Sequence, residues 1–311
     1  MKKLVSVVLP CHNEEENISE IVPDIVKNIP SNYDYEIICV DDGSSDNTLK
    51  EIEKLSRKNN RVKGISFYRN FGHQQALRAG IEKAKGEIVI TMDADFQHPP
   101  KLIPNLISLW EKGYDLVACQ KKSDKNASTL INIQRKLGYY IWTKISDGVI
   151  LPGVSDFRLM SKPIASYITD SNESEIFLRG QVQLAAKKPT TLAYDVDKRR
   201  YGKSSYSTKQ FLNIFSLGLI SFSIKPLRFA WLLGILISLS SVVYILADSI
   251  FALINHRQII EGWRTVVALL LLLNGFIIFF LGILGEYLGI VFKESKRRPK
   301  YIIENTINIS K

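Results

Sequence analysis

Two long uncharged segments near the C-terminus constrain the fold of this chain more than any other feature. Residues 229–247 and 265–285 contain no charged side chain, and residues 269–273 are an unbroken run of leucine. At about 1.5 Å per residue, each segment would span roughly 30 Å as a helix, the thickness of the hydrocarbon core of a bilayer. Two buried core helices are the alternative. Uncharged segments of this length favour a transmembrane hairpin of two helices.

Basic residues lie outside these two segments and are scarce between them. The flanking basic residues are Lys225, Arg228, Lys293, Lys296, Arg297, Arg298 and Lys300. The connecting loop contains Arg257 and Arg264, which Asp248 and Glu261 offset. The positive-inside rule therefore predicts a multi-pass protein of the cytoplasmic membrane, with both termini in the cytosol. The net charge of +10 suits a face beside anionic lipid, and no recognition motif supports a nucleic-acid partner.

The first 206 residues have the pattern of an α/β domain. Short apolar runs at 4–9, 36–40, 62–67, 88–92 and 114–119 alternate with segments of helical periodicity at 18–29, 48–58 and 74–85. This alternation predicts a mainly parallel, Rossmann-like sheet that helices cover on both faces. In such sheets, ligands bind beyond the carboxyl ends of the strands.

Polar side chains follow each of the first four predicted strands. The polar segments are residues 10–14, 41–46, 68–73 and 93–95. Because the carboxyl ends of parallel strands meet at one edge, these segments predict a binding site. Asp42 is suited to accept a hydrogen bond from a nucleobase N–H or a ribose hydroxyl. Helix capping explains residues 44–48, but it does not require the acidic pair that precedes them.

The fourth polar segment contains two carboxylates, Asp93 and Asp95, separated by one residue. On an extended backbone, positions i and i+2 point to the same side, so the pair is expected to face one ligand. Paired carboxylate oxygens suit Mg²⁺ or Mn²⁺. A strand-end turn with solvated acids is the alternative when the pair is taken alone.

Six motifs in order, followed by the hairpin, make the chain resemble a known family. The motifs lie at residues 8–15, 40–46, 69–73, 92–97, 155–159 and 177–180, and residues 285–289 and 296–299 match after the hairpin. The chain resembles family-2 glycosyltransferases of the GT-A fold, and within them the dolichol- or undecaprenyl-phosphate glycosyltransferases. With the charge pattern, the resemblance implies a catalytic domain over 1–206, an interfacial helix over 207–224, two transmembrane helices over 225–292 and a basic cytosolic tail over 293–311.

The resemblance also assigns roles to individual residues. The residues expected to bind the nucleotide sugar are Pro10, His12, Glu14, Asp42, Asp93, Ala94 and Gln97. Asp95 is the expected direct ligand of Mg²⁺ or Mn²⁺, with Asp93 beside it. The expected catalytic residues are Asp156, Asp95 and Arg199. The residues expected to bind the acceptor and the diphosphate are Arg158, Arg200, Lys203, Ser204 and Tyr206. Ser205 stands where the family pattern has lysine, so the phosphate-binding cation must come from Arg199, Arg200 or Lys203.

Asp156 occupies the position of the family's candidate general base. The second pKa of a phosphate monoester is near ~6, so the acceptor is mostly ionised at neutral pH and has little proton to lose. We therefore expect Asp156 to orient the acceptor or the sugar hydroxyls, with Arg158 nearby. A structural loop acid paired to Arg158 is the alternative.

The implied reaction is transfer of a hexose, with inversion, from a nucleoside diphosphate to a polyprenyl phosphate. Residues 69–73 and 177–180 are most similar to the undecaprenyl-phosphate glucosyltransferases, which favours UDP-glucose as the donor. The alternatives are transfer of mannose from GDP-mannose and a membrane-tethered nucleotide-sugar-binding protein without chemistry. A processive polysaccharide synthase needs more membrane spans than this chain has.

A polyprenyl acceptor requires an active site at the membrane surface, because each buried CH₂ is worth about 0.8 kcal/mol. Residues 210–224 fit an interfacial helix, with one apolar stripe of Phe211, Phe215, Leu219 and Phe222. An ordinary core helix is the alternative. Residues suited to close packing between spans or between subunits of a homo-oligomer are Asn274, Gly275, Gly282 and Gly285.

Overall fold

The computed structural model describes residues 2–121, 153–171, 173, 177–195, 225–255 and 262–309. The chain divides into two compact units. The first combines Met1–Phe215 with Arg297–Lys311, and the second is Ser216–Lys296. The predicted interfacial helix at 207–224 lies outside the described residues.

Within the described residues, the first unit contains one sheet of eight strands with helices on both faces. The strands are β1 Lys3–Cys11, β2 Tyr33–Asp41, β3 Val62–Phe67, β4 Ile88–Thr91, β5 Leu116–Lys121, β6 Val154–Ser161, β7 Pro189–Tyr194 and β8 Ile303–Ile307. The helices are α1 Glu15–Asn28, α2 Thr48–Lys58, α3 His73–Lys83, α4 Ile103–Glu111, α5 Lys162–Asp170 and α6 Leu178–Ala185. A short 3₁₀ turn, Pro100–Leu102, precedes α4.

The strand order is β7-β5-β6-β4-β1-β2-β3-β8. The central strands β3, β2, β1 and β4 are parallel, as the alternation of apolar runs predicted. β6 is antiparallel to both β4 and β5, and β8 is antiparallel to β3. The sheet is therefore mixed, with a parallel centre.

Two hydrophobic cores lie on opposite faces of the sheet. Alternate residues of β1 enter different cores: Val7 packs with the helices on one face and Val8 with those on the other. α1 and α4 contribute to the first core, and α3, α5 and α6 contribute to the second. A Cβ on Gly80 of α3 would lie 2.3 Å from Cγ1 of Val8, so this glycine lets α3 pack directly on β1.

β8 was not among the strands that the sequence pattern predicted. The segment 293–311 was expected to be a basic tail, and the structure places Ile303–Ile307 in the sheet beside β3. β3 would otherwise be an edge strand with unpaired backbone groups, so β8 covers it. Its alternation of apolar and polar residues is too short to indicate a strand by itself.

In the part of the second unit that the structure describes, two long helices contact each other, α7 Lys225–Asn255 and α8 Trp263–Ser295. α7 contains the uncharged segment 229–247, and α8 contains the uncharged segment 265–285. Within the described residues, Leu272–Ser295 is the one helical stretch long and apolar enough to cross a bilayer, and Leu227–Ile237 is a shorter apolar stretch. Large apolar side chains are exposed along both helices, among them Trp231 and Ile278.

Candidate active site

The candidate site lies at the carboxyl ends of the central strands. β1 pairs in parallel with both β2 and β4. β2 and β3 lie on one side of β1 and β4 lies on the other, so the strand order reverses at β1. Ligands in open α/β sheets bind at such a reversal. The polar segments after β1, β2, β3 and β4 all meet at this edge, as the sequence analysis expected.

On the β1–β3 side, the carboxylate of Asp42 holds the loop that follows β3. It accepts hydrogen bonds from the backbone N–H of Phe71 at 2.7 Å and of Gly72 at 2.9 Å. Burial raises the pKa of Asp42, although the two N–H groups act in the opposite direction. Both carboxylate oxygens of Asp42 therefore stabilise the loop after β3. This structural role was not predicted from the sequence.

Gly43 allows the loops after β2 and β3 to approach each other. Its φ is +62°, and a Cβ there would lie 2.5 Å from the carbonyl carbon of Arg69. Only glycine accepts this backbone conformation and this contact together.

The loops after β1 and β2 are joined by side-chain to backbone hydrogen bonds. Nδ1 of His12 lies 2.9 Å from the carbonyl oxygen of Asp42, and because a carbonyl can only accept, Nδ1 carries the proton. The backbone N–H of Glu14 donates to Oγ1 of Thr48 at 2.8 Å. Pro10 lies within β1. The predicted nucleotide-binding residues of this side are therefore close together.

The acidic segment after β4 is a turn, because β4 ends at Thr91, before Asp93. The alternation of an extended strand therefore does not apply to Asp93 and Asp95. Asp95 is buried, and its Oδ1 accepts a hydrogen bond from the backbone N–H of Gln97 at 3.1 Å. Between them, Ala94 is buried and Phe96 has a φ of +63°. A buried phenylalanine with positive φ is a strained conformation of the kind found at functional sites.

His98 fixes the start of this turn through a hydrogen bond to the backbone of Asp93. Its Nδ1 accepts the backbone N–H of Asp93 at 2.9 Å, and its ring stacks on Phe157 at 5.3 Å. Burial lowers the pKa of His98, and a ring that accepts through Nδ1 is neutral. The 3.4 Å approach of Nδ1 to the Asp93 carboxylate is therefore not an ion pair.

Two arginines hold the buried carboxylate of Asp156. Nη2 of Arg158 donates to Oδ1 at 2.6 Å. Arg179 donates through Nε to Oδ1 at 3.2 Å and through Nη2 to Oδ2 at 2.8 Å. Burial alone would raise the pKa of Asp156, but Arg179, His73 and Arg158 lower it well below its usual value. Asp156 is therefore an ionised, weakly basic carboxylate.

His73 connects the acidic turn with Asp156. It begins α3, and its Nε2 lies 3.5 Å from Oδ1 of Asp93 and 3.6 Å from Oδ2 of Asp156. Its side chain is 43% exposed, so a ligand can reach it. Partial burial lowers the pKa of His73, but Asp156 and Asp93 outweigh this and raise it.

The β4–β6 pairing places the two acidic groups beside each other. Thr91 at the end of β4 is opposite Arg158 of β6, and Oγ1 of Thr91 donates to the carbonyl oxygen of Asp156 at 2.6 Å. The side chain of Thr91, two residues before Asp93, is thereby joined to the backbone of Asp156.

The structure groups the predicted residues into two sets at one edge. Asp156 and Arg158 lie on the β4–β6 side with the acidic turn, which contains Asp93, Ala94, Asp95 and Gln97. Pro10, His12, Glu14 and Asp42 lie on the β1–β3 side. The predicted residues outside the described part of the chain are Arg199, Arg200, Lys203, Ser204 and Tyr206. His73, His98 and Arg179 are site residues that were not predicted from the sequence. His73 and Arg179 lie in two of the motifs that carry the family resemblance, at 69–73 and 177–180.

The acidic turn has the donor chemistry for a divalent metal. Oδ1 of Asp93 is buried and accepts no hydrogen bond from any described residue. Among the described residues, no group of three or more His, Cys, Asp or Glu side chains is arranged to hold a metal ion. Mg²⁺ commonly takes one or two carboxylates and completes its shell with waters and substrate phosphates. Asp93 and Asp95 therefore fit a metal that the substrate helps to bind.

Comparison with known sequences places the chain among glycosyltransferases. The model of Glycosyl transferase family 2 matches residues 6–166. A bactoprenol glucosyl transferase of Shigella phage SfV is 35% identical over 307 residues, covering 97% of this chain and 98% of the relative. A prophage bactoprenol glucosyl transferase homolog of Escherichia coli K12 is 34% identical over 308 residues, covering 96% and 98%.

Comparison with solved structures supports the fold. Glucosyl-3-phosphoglycerate synthase from Mycobacterium tuberculosis, in complex with Mn²⁺, UDP and glucosyl-3-phosphoglycerate, superposes with a TM-score of 0.50. It is 19% identical, and the match covers 70% of this chain and 78% of that chain. The GT-A fold expected from the sequence motifs is confirmed.

Proposed function

The chain belongs to glycosyl transferase family 2, and from this premise we propose that it transfers glucose from UDP-glucose to a polyprenyl phosphate. The geometric observation that carries the proposal is the position of His73. Its Nε2 lies within 3.6 Å of both the acidic turn and the arginine-held Asp156. One small site thus contains carboxylates suited to a metal–diphosphate group and arginines suited to a phosphate acceptor. Full-length similarity to proteins named bactoprenol glucosyl transferases supports this choice of substrates.

In the proposed reaction, an oxygen of the acceptor phosphate attacks the anomeric carbon of glucose from the face opposite the diphosphate. The bond between that carbon and the diphosphate oxygen breaks, and UDP leaves with the electron pair. The product is a polyprenyl phosphate whose phosphate oxygen is bonded to the anomeric carbon of glucose, with the configuration at that carbon inverted. No proton must be removed from the acceptor, because a phosphate monoester is mostly ionised at neutral pH.

Asp156 acts as an orienting group rather than a base. A carboxylate with a strongly lowered pKa is a poor proton acceptor at neutral pH. Its bidentate contact with Arg179 instead sets the direction of a guanidinium whose side chain is 34% exposed. Arg179 then presents a cation to the acceptor phosphate, a role that the sequence analysis had reserved for Arg199, Arg200 and Lys203.

Asp95 and Asp93 would hold Mg²⁺ or Mn²⁺, with Asp95 as the direct ligand. When bound, the metal would offset the charge that develops on the leaving diphosphate. His12, Glu14 and Asp42 lie on the nucleotide side of the edge, where the loops after β1 and β2 are joined. His73, at the start of α3, contacts both Asp93 and Asp156.

The membrane is part of the proposal, because the acceptor is a lipid. We propose that α7 and α8 form the predicted hairpin, with the catalytic unit and both termini on the cytosolic side. The large exposed apolar side chains of both helices support this arrangement. The basic residues that flank the helices support the orientation.

Purified protein in lipid nanodiscs tests the reaction directly. The reaction mixture contains undecaprenyl phosphate, Mg²⁺ or Mn²⁺, and either UDP-[¹⁴C]glucose or GDP-[¹⁴C]mannose, and the lipid phase is analysed by mass spectrometry. We expect undecaprenyl phosphate–glucose from the UDP-glucose reaction, and loss of the product when EDTA removes the metal. A mannosylated lipid, a water-soluble product or a polymer would overturn the proposal. Binding of UDP-glucose without any product would favour a non-catalytic protein.

A further inference from the structure

A buried arginine outside the proposed site holds the end of α5 and the described residues after it, Ser171 and Glu173, which together we call the turn after α5. Arg78 lies on α3 and is 1% exposed. Its Nε donates to Oε1 of Glu82 at 3.0 Å. Its two Nη atoms donate to the backbone carbonyls at the end of α5, namely those of Thr169, Ser171 and Glu173. A buried guanidinium bonded to three carbonyls specifies the path of the backbone that carries them.

This turn is also held from α6, the helix that carries Arg179. Nε2 of Gln181 donates to Oγ of Ser171 at 3.3 Å and to Oε2 of Glu173 at 2.6 Å. At the start of α6, the backbone N–H of Leu178 donates to Oε1 of Gln74 at 3.3 Å. α3 therefore contacts both the turn and the first residue of α6.

The C-terminal segment reaches the same turn from the opposite end of the sequence. Nζ of Lys300 donates to the carbonyl oxygen of Ser171 at 2.6 Å, so this carbonyl accepts from both Lys300 and Arg78. The hydroxyl of Tyr301 donates to the carboxylate of Glu82, the partner of Arg78. The ring of Tyr301 stacks on Phe67 of β3 at 4.9 Å.

Strand β8 fixes the position from which Lys300 and Tyr301 make these contacts. The backbone N–H of Tyr68 donates to the carbonyl of Ile302 at 3.0 Å, directly before β8. At the far end of the strand, Nδ2 of Asn308 donates to the carbonyls of Ser56 and Val62, each at 3.0 Å. Residues 300–308, which we call the tail strap, are therefore bound along their whole length.

We propose that the tail strap is a positioning element of the active site. Lys300 and Tyr301 act through Arg78, Glu82 and the turn after α5 to hold the start of α6, so that Arg179 meets Asp156. The inference rests on the proposed function, and it adds that the acceptor side of the site depends on the chain that follows α8. Catalytic groups that are displaced by about 1 Å lose much of their effect, so a small shift of α6 alters turnover.

The test uses the full-length protein in nanodiscs and two substitutions, Lys300→Met and Tyr301→Phe. Each removes one hydrogen bond and keeps most of the side-chain volume. Their matched controls are Lys54→Met, which removes an exposed lysine of α2, and Tyr167→Phe, which changes an exposed tyrosine of α5. Initial rates are measured with undecaprenyl phosphate and with UDP-glucose as the varied substrate.

We expect Lys300→Met to lower kcat/KM for undecaprenyl phosphate about tenfold, as the loss of a charged hydrogen bond allows. We expect the KM for UDP-glucose to stay within about twofold, and Lys300→Arg to restore most of the activity. Tyr301→Phe has a smaller effect in the same direction. Wild-type kinetics in both strap variants would overturn the proposal. So would an equal rise in the KM for both substrates, because that indicates general destabilisation.

Hydrogen exchange separates failure of the strap from failure of the proposed function. The backbone N–H groups of Gly180 and Gln181 bond to the carbonyl of Phe177 in the first turn of α6. We expect these amides to exchange at least fivefold faster in Lys300→Met and unchanged in Lys54→Met, whatever reaction the protein catalyses. Unchanged exchange in Lys300→Met would overturn the strap even if lipid glucosylation is confirmed.

Discussion

The two sides of the strand-end edge hold a buried aspartate in different ways. Asp42, on the β1–β3 side, accepts from two backbone N–H groups, and Asp156, on the β4–β6 side, accepts from two arginines. Both are almost fully buried. Neutral N–H groups do not overcome the cost of burying the charge, so the pKa of Asp42 is raised, whereas the pKa of Asp156 is lowered. Main-chain N–H groups hold the carboxylate of Asp42, whereas the positive charges of Arg158 and Arg179 neutralise that of Asp156.

The largest expected effect comes from removing the charge of Asp156. We expect Asp156→Asn to reduce kcat at least about 100-fold, because Arg179 loses its bidentate partner and the buried Arg158 loses its counter-charge. Raising the pH from 6 to 9 should not restore the rate, since the lost carboxylate orients Arg179 and removes no proton from the mostly ionised acceptor. The measurement is the initial rate across this range, with the exposed pair member Asp34→Asn as the control. Recovery of the rate at high pH would instead identify Asp156 as a general base.

The next effect tests the close approach of loops on the Asp42 side. Gly43→Ala introduces a Cβ against the backbone of Arg69 at a positive φ, so we expect it to destabilise the fold by roughly 3 kcal/mol. Gly113 also has a positive φ, but no atom lies within 4 Å of its Cβ position. Gly113→Ala should therefore cost only about 1 kcal/mol. Denaturant titration of both variants in detergent measures the difference, and equal losses would contradict the steric explanation.

A smaller effect is expected when Asp42 is replaced by asparagine. The amide keeps one acceptor oxygen, so one of the N–H groups of Phe71 and Gly72 loses its partner, at a cost of about 1 kcal/mol. The same experiment tests the predicted role of Asp42 in nucleotide binding. If the Kd for UDP rises more than tenfold while the stability falls by about 1 kcal/mol, Asp42 contacts the nucleotide as well as the loop. An unchanged Kd would restrict Asp42 to holding the loop.

The smallest effect is a difference in the acid dependence of stability. The lowered pKa of Asp156 means that its contribution is present above the unfolded-state pKa of about 3.9 and is lost as the pH falls toward the folded pKa. The raised pKa of Asp42 has the opposite sign, because the folded state then binds the proton more tightly. We therefore expect acid unfolding to become shallower in Asp156→Asn and steeper in Asp42→Asn. Urea titrations between pH 3 and 6 measure how stability depends on pH in the wild type and in both variants. A change of slope in the same direction in both variants would contradict the comparison.

Much of the fold followed from local patterns in the sequence. Apolar runs of strand length identified β1 to β5, and helical periodicity identified α1, α2 and α3, because side-chain burial repeats with the period of each element. β6, β7 and β8 were not identified. Their partners are distant in the sequence, and β8 pairs with β3 across more than two hundred residues, so no local pattern indicates it.

In the site, too, local sequence motifs indicated some residues, and contacts between distant elements decided the rest. The polar segment after β4 identified Asp93 and Asp95, and the family resemblance identified Asp156 and Arg158. They did not indicate which partners each carboxylate has, because hydrogen bonds between β4, β6, α3 and α6 depend on how these elements pack. His73 and Arg179 became candidates only when the structure placed both beside Asp156.

The sequence by itself determined the family, the parallel centre of the sheet and the two apolar helices, because each depends on residue types at short and regular spacing. The tertiary structure decided which acid is neutralised by arginine, which acid supports a loop, and that the C-terminal segment returns to the sheet. Those outcomes depend on burial and on contacts between distant residues, and the free energy of a buried charge is set by its partners in space.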